Sequence, residues 1–429
     1  MLKNIVFCFV VFCALNTVFY VEKSQASSSN NGEKVEHIRE IRNLVIDEQL
    51  SIDVYVPHSK DDAGKRYPTL YVMDGQYYFY NAIAYQQSLR HNVNASPEFI
   101  VVGINIEEPL DDPDFRRNLL GINTDKMIAT LEKKIIPYID EHFPSDQTRM
   151  YFGWQFAAEF GLELFSKRPN LIEGYFLASS PMFSDKRIPE LSDTLQKHQE
   201  LNNYFYLSLG ETETHATSKH QTLDSLLKQH KKSGVKSHYN LSAKHNHQTT
   251  PLDSFTQGLA WYFSDYPDIT FYSVDDIRSF GGASAVKAYY SNRGKRYQLS
   301  PEVGRQAKFS MFRHAAQENE WELFQQLEQE LGSLHTQSPY WSHFFGRFFL
   351  KHGAYDKAKN LFKMGLDIDS EVHQLWAALA EVSEKQGRFK LALDGYQKAL
   401  KNSEQQESEH SKYRQKVEML EKFVAQNKS

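Results

Sequence analysis

Glu213 and His247 are the two side chains whose types and positions best suit acid–base chemistry. Glu213 ends the segment Leu209-Gly210-Glu211-Thr212-Glu213, and His247 lies just before an apolar segment with helical periodicity. A carboxylate can orient a histidine, which takes up and releases protons near neutral pH. Considered alone, Glu213 is equally well explained as a solvated loop carboxylate. His247 is one of 17 histidines, and loop histidines are more often surface groups than bases.

His245 and His247 together also raise the question of a metal site, because histidine is a common metal ligand. No third ligand has a spacing that would complete such a site. Cys8 and Cys13 are the only cysteines, and both lie in the apolar N-terminal segment. We therefore predict no metal and no cofactor, and no disulfide in the mature chain.

The elements that must position these side chains alternate between short apolar segments and longer helical ones from about residue 36 to residue 266. This alternation predicts an α/β fold with a mostly parallel sheet and helices on both faces, in which ligands bind beyond the carboxyl ends of the strands. Thr124 to Phe143 has helical periodicity, interrupted by Pro137. The predicted strands are Leu50 to Val56, Thr69 to Met73, Phe99 to Ile106, Arg149 to Phe152, Gly174 to Ala178 and Tyr204 to Leu209.

The segment after the strand Arg149 to Phe152 is where such a fold would present a nucleophile. In α/β-hydrolases the nucleophile occupies a sharp turn between a strand and a helix. The sequence at that turn is Gly153-Trp154-Gln155-Phe156, followed by two alanines.

The order of these segments resembles the esterase family of α/β-hydrolases that includes enterochelin esterase and esterase D. The resemblance covers about residues 36 to 263. It rests on the segment Tyr67 to Gln76 with its Asp74-Gly75 pair, on the turn at Gln155, and on the segment Tyr175 to Pro181. It implies that Glu213 is the acid and His247 the base of a catalytic triad, in the order nucleophile, acid, base.

The same resemblance implies oxyanion donors from the backbone N–H of Phe156 and from Gly75 or Gln76. The chain departs from the family at the nucleophile itself, where Gln155 replaces serine. An amide has no hydroxyl that a histidine could deprotonate, so Gln155 cannot form an ordinary acyl-enzyme.

Two further departures flank the turn, because Ala157 and Ala158 replace the paired glycines of the family. Glycine there permits a strained turn, so we expect the turn to have relaxed. Ser179 and Ser180, at the end of the next strand, are expected to be structural rather than a substitute nucleophile.

Composition excludes a general nucleic-acid binder, since the formal net charge is −5. The short basic pairs Arg116-Arg117 and Lys231-Lys232 are expected to be solvated surface groups.

The N-terminal residues have the layout of a signal peptide. Lys3 precedes the apolar segment Ile5 to Val21, and small residues follow at Ser24-Gln25-Ala26. We predict a signal peptide over residues 1–26, a flexible tether over 27–35, and a periplasmic or secreted mature protein with no membrane span. The alternative is an uncleaved membrane anchor.

The C-terminal part contains a repeat of 34 residues. Gly353, Tyr355, Ala358, Phe362 and Leu366 recur as Gly387, Phe389, Ala392, Tyr396 and Leu400. This pattern resembles the tetratricopeptide repeat, and residues 309–331 indicate a degenerate earlier unit with Trp321 in its aromatic position. We predict an α/β-hydrolase domain over residues 36–266, a connector over 267–299 and an all-α repeat domain over 300–429.

Three functions remain open from the sequence. The favoured one is a pseudo-esterase that binds a small ester-like ligand in its cleft and a protein or peptide partner through its repeats. The second is an active ester hydrolase in which His247 and Glu213 activate water. The third is a structural protein whose pocket has no ligand.

Overall fold

The computed structural model describes residues 41–46, 48–57, 64–90, 95–182, 185–198, 200–230, 234–334 and 336–426. The predicted signal peptide, the tether and the pair Lys231-Lys232 lie outside these residues. No helix within the described ranges combines the length and apolar character that a membrane span requires.

Eight strands of the described residues form one sheet in the order β1-β2-β4-β3-β5-β6-β7-β8. The six strands from β4 to β8 in this order are parallel, whereas β1 and β2 are antiparallel to their neighbours. The mostly parallel sheet predicted from the sequence is therefore confirmed. The strands are β1 (Ile41–Val45), β2 (Leu50–Tyr55), β3 (Tyr67–Met73), β4 (Ile100–Ile106), β5 (Ser145–Trp154), β6 (Gly174–Ala178), β7 (Tyr204–Gly210) and β8 (Lys236–Ser242).

Helices cover both faces of the sheet. Phe79 of one helix and Phe255 of another pack on the face that contains Val72, and the other helices that precede residue 250 pack on the opposite face. Pro137 lies in the first turn of its helix, where its missing N–H is tolerated. The helices are α1 (Gly75–Arg90), α2 (Phe115–Arg117), α3 (Asp125–Thr130), α4 (Ile136–His142), α5 (Phe156–Lys167), α6 (Arg187–Lys197), α7 (Thr217–Gln229) and α8 (Thr250–Tyr262), with π-helical turns at Asn118–Ile122 and Leu131–Ile135 and a 3₁₀ turn at Thr214–Ala216.

All described elements after β8 are helical, and most of them repeat at a fixed interval. Helices α11, α13, α15 and α17 begin 34 residues apart, and so do α12, α14 and α16. The turns within the three pairs contain Asn319, Gly353 and Gly387, each with a positive φ of 61° to 73°. The helices are α9 (Val274–Phe280), α10 (Gly282–Tyr297), α11 (Arg305–Gln317), α12 (Trp321–Leu331), α13 (Pro339–Lys351), α14 (Tyr355–Ile368), α15 (His373–Lys385), α16 (Phe389–Asn402) and α17 (Glu407–Gln426).

The segment 267–299, expected to be a connector, contains α9 and α10. Ile277, Val286 and Tyr290 of these helices are fully buried in the same core cluster as Phe312 and Phe345 of the following helices. This segment is therefore a packed part of the helical region, because its apolar side chains need the neighbouring helices to cover them.

Candidate active site

Gln155 lies at the turn between β5, which ends at Trp154, and α5, which begins at Phe156. Its backbone has φ 56° and ψ −117°, a conformation that side-chain-bearing residues rarely adopt. The turn is fixed on both sides, since the N–H of Gln155 donates to Ala178 O at 3.0 Å and its carbonyl accepts from the N–H of Ala158 at 3.0 Å. A strand therefore delivers this side chain to a sharp bend at the carboxyl edge of the sheet.

The expectation that this turn has relaxed is wrong for the backbone. Ala157 and Ala158 are fully buried and take the places of glycines without removing the positive φ at Gln155. The close approach in this turn falls instead on Gly153, where a Cβ would lie 2.4 Å from the carbonyl oxygen of Ala157. The methyl groups of Ala157 and Ala158 are thus compatible with the bend, because the position that cannot accept a side chain is Gly153.

The Gln155 side chain is held by a cation. Nη1 of Arg116 donates to Oε1 of Gln155 at 3.0 Å, while Nε and Nη2 of Arg116 each donate to a carboxylate oxygen of Asp74 at 2.7 Å. A guanidinium has only donors, so the amide oxygen of Gln155 must face Arg116 and its NH₂ group must face away. Gln155, Arg116 and Asp74 form one hydrogen-bonded unit.

Arg116 was expected on the solvated surface, and this expectation is wrong. Its side chain is only 12 % exposed, and that of Asp74 is 1 % exposed. Burial opposes the charge of the guanidinium, but the hydrogen bonds and attraction from Asp74 raise the pKa of Arg116 above its ordinary value. The available signal was its position soon after β4, because residues that follow parallel strands meet at one edge of the sheet.

Glu213 and His247, the acid and base expected from the resemblance, are in direct contact. Nδ1 of His247 lies 2.7 Å from Oε2 of Glu213. Oε1 of Glu213 accepts from the backbone N–H of Gly210 at 2.9 Å and from the hydroxyl of Ser179 at 2.7 Å. Burial favours the neutral acid, but the hydrogen bonds from His247, Ser179 and Gly210 together hold the pKa of Glu213 below its ordinary value. The carboxylate can therefore orient the imidazole.

Trp154 connects this pair to the turn. Its indole N–H donates to the carbonyl oxygen of His247 at 2.9 Å, and the two rings are 4.9 Å apart. Since Trp154 directly precedes Gln155, the loop that contains His247 is anchored next to the bend. Tyr78 continues the aromatic wall, with its ring 6.3 Å from that of Trp154.

The three predicted oxyanion residues lie at helix starts or beside them. Phe156 is the first residue of α5 and Gly75 is the first residue of α1. The first N–H groups of a helix have no acceptor within the helix and favour negative charge. The side-chain amide of Gln76 instead bonds the backbone of Ile106 in both directions, at 3.2 Å each.

Two serines near the turn are engaged in other bonds. Ser179 is buried and donates to Glu213, as described above. Ser180 is also buried and donates to Oε2 of Glu159 at 2.8 Å. Both hydroxyls therefore donate to carboxylates rather than to the imidazole of His247.

A cavity of about 430 Å³ opens beside the turn. Its lining includes Gln155, Phe156 and Pro181 together with the charged side chains of Glu108, Asp114, Arg116 and Arg117, but neither His247 nor Glu213. The nucleophile position thus faces a polar, charge-balanced space. Within the described ranges, no three side chains of His, Cys, Asp or Glu are grouped as a metal ion would require.

Comparisons with known proteins bear on the fold. No protein-family model matches the sequence, and a search of curated proteins gives no match. A siderophore hydrolase, EstA from Aspergillus nidulans, aligns with 14 % identity and a TM-score of 0.46 over 56 % of this chain and 99 % of its own. An uncharacterised protein from Capnocytophaga ochracea aligns with 14 % identity and a TM-score of 0.45 over 89 % of this chain and 99 % of its own.

The structure of an IroE-like serine hydrolase from Shewanella oneidensis aligns with 14 % identity and a TM-score of 0.50. The alignment covers 68 % of this chain and 98 % of that one. Together with the parallel sheet, the strand-to-helix turn after β5 and the flanking helices, this similarity shows that the chain has the α/β-hydrolase fold, followed by a helix-rich C-terminal region.

Proposed function

We propose that this protein is an exported α/β-hydrolase homologue that has lost serine-hydrolase catalysis and acts as a binding or regulatory pseudo-esterase. The observation that carries the proposal is Gln155 at the strained turn, with its amide oxygen held by Arg116. Ester hydrolysis by this fold needs a hydroxyl whose proton passes to histidine. Gln155 offers only an amide, and the two nearby serines are bonded to carboxylates.

A ligand-binding role explains why the site retains a strained backbone and fixed side-chain contacts although it lacks a serine. The positive φ at Gln155 is unfavourable unless something stabilises or uses it, and Arg116, paired with Asp74, holds the Gln155 side chain in one orientation there. A domain that serves only as a scaffold would have no use for strain at this turn. We therefore favour a small ester-like ligand in the cleft over the structural alternative.

The second candidate is an active hydrolase. The 2.7 Å contact between Nδ1 of His247 and Glu213 favours it, because it leaves Nε2 of the imidazole to accept a proton from a water molecule. Such a mechanism would need no nucleophile at position 155.

A fluorophosphonate probe and an activated ester separate these candidates. We expect the wild-type protein to show no label and no burst of product. The Gln155→Ser variant should become labelled and should recover part of the hydrolysis, since the bend is already strained and the acid–base pair is already in contact. The Gln155→Ala variant is the matched control, because it loses the same amide without gaining a hydroxyl. Ala157→Gly should add little to Gln155→Ser.

Turnover by the wild type that disappears in His247→Ala would instead establish the active hydrolase. A Gln155→Ser variant that folds but takes no label would show that the turn at position 155 lacks more of the catalytic geometry than the serine hydroxyl.

The proposal extends to both ends of the chain. The signal-peptide layout supports a periplasmic or secreted mature protein, and N-terminal sequencing of the exported form should give a start near Ser27. The helical region, with its interval of 34 residues, is proposed to bind a protein or peptide partner in the manner of tetratricopeptide-like repeats.

A further inference from the structure

The first helices of three successive pairs line one cavity of about 970 Å³, which we call the helical groove. Helix α11 contributes Gln317, α13 contributes Phe344 and Arg347, and α15 contributes Glu381 and Lys385. Because these helices recur at the same interval, corresponding faces of each pair meet along the groove. The groove is separate from the strand-to-helix turn and shares no lining residue with the cavity there.

Aromatic side chains make part of the groove apolar. Tyr340, the second residue of α13, is 67 % exposed, and Phe344 follows one turn later, partly exposed. Phe348 is buried beneath them and packs against Trp321, with their rings 5.6 Å apart. These packed aromatic rings, with that of Tyr340 exposed, form a surface suited to contact an apolar side chain of a bound segment.

The charged lining is predominantly basic. Arg347, Lys351 and Lys385 are cationic, and Glu381 is the one carboxylate among the described lining residues, where it pairs with Arg347. Lys351 and Lys385 are exposed and have no carboxylate partner in the described part of the chain. The whole chain has a formal charge of −5, so this positive groove is a local feature that would attract negative charge.

We propose that the helical groove binds an extended acidic segment of a partner protein. The carboxylates of that segment would lie near Lys351 and Lys385, and an apolar side chain would pack on Tyr340 and Phe344. The two lysines lie on different helices and the groove is partly apolar, so a chain of several residues fits it better than a small anion does. The inference rests on the proposed function only in assigning a protein partner to the helical region.

The test uses the mature full-length protein and fluorescence anisotropy. The probe is a fluorescein-labelled peptide of Asp and Glu residues around one Phe, and its twin carries Asn and Gln at the same positions. We expect the acidic peptide to bind, its binding to weaken as salt rises, and the amide twin to bind about tenfold more weakly.

Variants then locate the binding. The double variant Lys351→Glu, Lys385→Glu should weaken binding of the acidic peptide about tenfold or more. The matched control is Lys363→Glu, Lys401→Glu, which makes the same charge change at exposed positions of α14 and α16, outside the groove lining. The control should bind like the wild type, and circular dichroism melts verify that both variants fold.

Three results would overturn the inference. One is no binding of the acidic peptide at ~1 mM protein, the concentration at which a complex with a dissociation constant of ~1 mM is half formed. Another is equal binding of the amide twin, or an equal loss of peptide affinity in both double variants. Either would mean that the charges of the groove do not contribute to binding. The third is self-association that Lys351→Glu, Lys385→Glu abolishes while peptide binding is absent, which would make a second copy the occupant. Fluorophosphonate labelling of the same wild-type preparation would refute only the proposed loss of catalysis.

Discussion

At the scale of single residues, Arg116 is the side chain on which the arrangement of the nucleophile position depends. It bonds Asp74 on one side and Gln155 on the other, and its Nη2 also donates to Trp154 O at 3.2 Å. It therefore ties a helix start, the strained turn and the loop after β4 into one unit. A serine at position 155 would leave the guanidinium without its amide acceptor.

We predict that Arg116→Ala lowers the free energy of unfolding by about 3 kcal/mol, because removal of one partner leaves the buried carboxylate of Asp74 without its cation. Arg117→Ala is the matched control. Arg117 is the adjacent arginine, its side chain is 54 % exposed, and its loss should change the unfolding free energy by less than about 0.5 kcal/mol. Urea denaturation measures both, and equal effects would show that the buried pair contributes no more than a surface one.

The sequence predicted part of this site and could not predict the rest. Glu213, His247 and Gln155 stand in segments whose order resembles a known family, so their neighbourhood followed from the resemblance. The bond from Arg116 to Asp74 joins residues 42 positions apart, and no local pattern encodes such a contact. The positive φ of Gln155 was not predicted either, because glutamine has no preference for that conformation and its residue type gives no sign of it.

At the scale of elements, the strands that the sequence revealed are those buried on both faces. β3, β4, β6 and β7 are buried along their whole length and therefore form continuous apolar segments. The edge strands β1 and β8 were not predicted from the sequence. β8 has the polar sequence Lys-Ser-His-Tyr-Asn-Leu-Ser, and only its last residue is buried, so only its pairing with β7 identifies it as a strand.

Two glycines of one helix pair should respond differently to alanine. Gly353 has φ +73° and open space where a methyl group would lie, so Gly353→Ala carries only a backbone penalty of about 1 kcal/mol. At Gly346 a Cβ would lie 2.2 Å from Cε1 of Phe362, so Gly346→Ala must displace a buried ring and should cost about 2 kcal/mol or more. Thermal denaturation ranks the two, and the reverse order would contradict this account.

At the scale of the whole molecule, α10 joins the sheet to the helical region. The guanidinium of Arg296 lies 4.5 Å from the ring centre of Tyr262 in α8, and its Nη1 donates to Asp265 at 2.7 Å. On its other side α10 contributes Val286 and Tyr290 to the helical core. Helix α10 thus packs both against α8 and the residues after it and against the core of the helical region.

This double role sets where the chain can be cut. A protein that ends at residue 300 keeps α9 and α10 but loses the helices that cover Ile277, Val286 and Tyr290. We predict that it binds an apolar dye and precipitates on heating. A protein that ends at residue 266 should stay folded with a lower melting temperature, because it loses the contacts that Arg293, Arg296 and Tyr297 make with α8 and the residues just after it. Equal solubility and melting of the two truncated proteins would show that α10 is independent of the helices after it.

The fixed interval between helix starts also means that the helical region can be extended by whole helix pairs. Because α13 with α14 and α15 with α16 share both their starting interval and a positive-φ glycine in the turn, a gene duplication of 34 codons at this boundary would insert one more pair in register. The groove would lengthen by one helix, and the acidic segment that we propose as its occupant would lengthen with it. Recognition could thus diversify between lineages through copy number, while the hydrolase fold and its glutamine remained untouched.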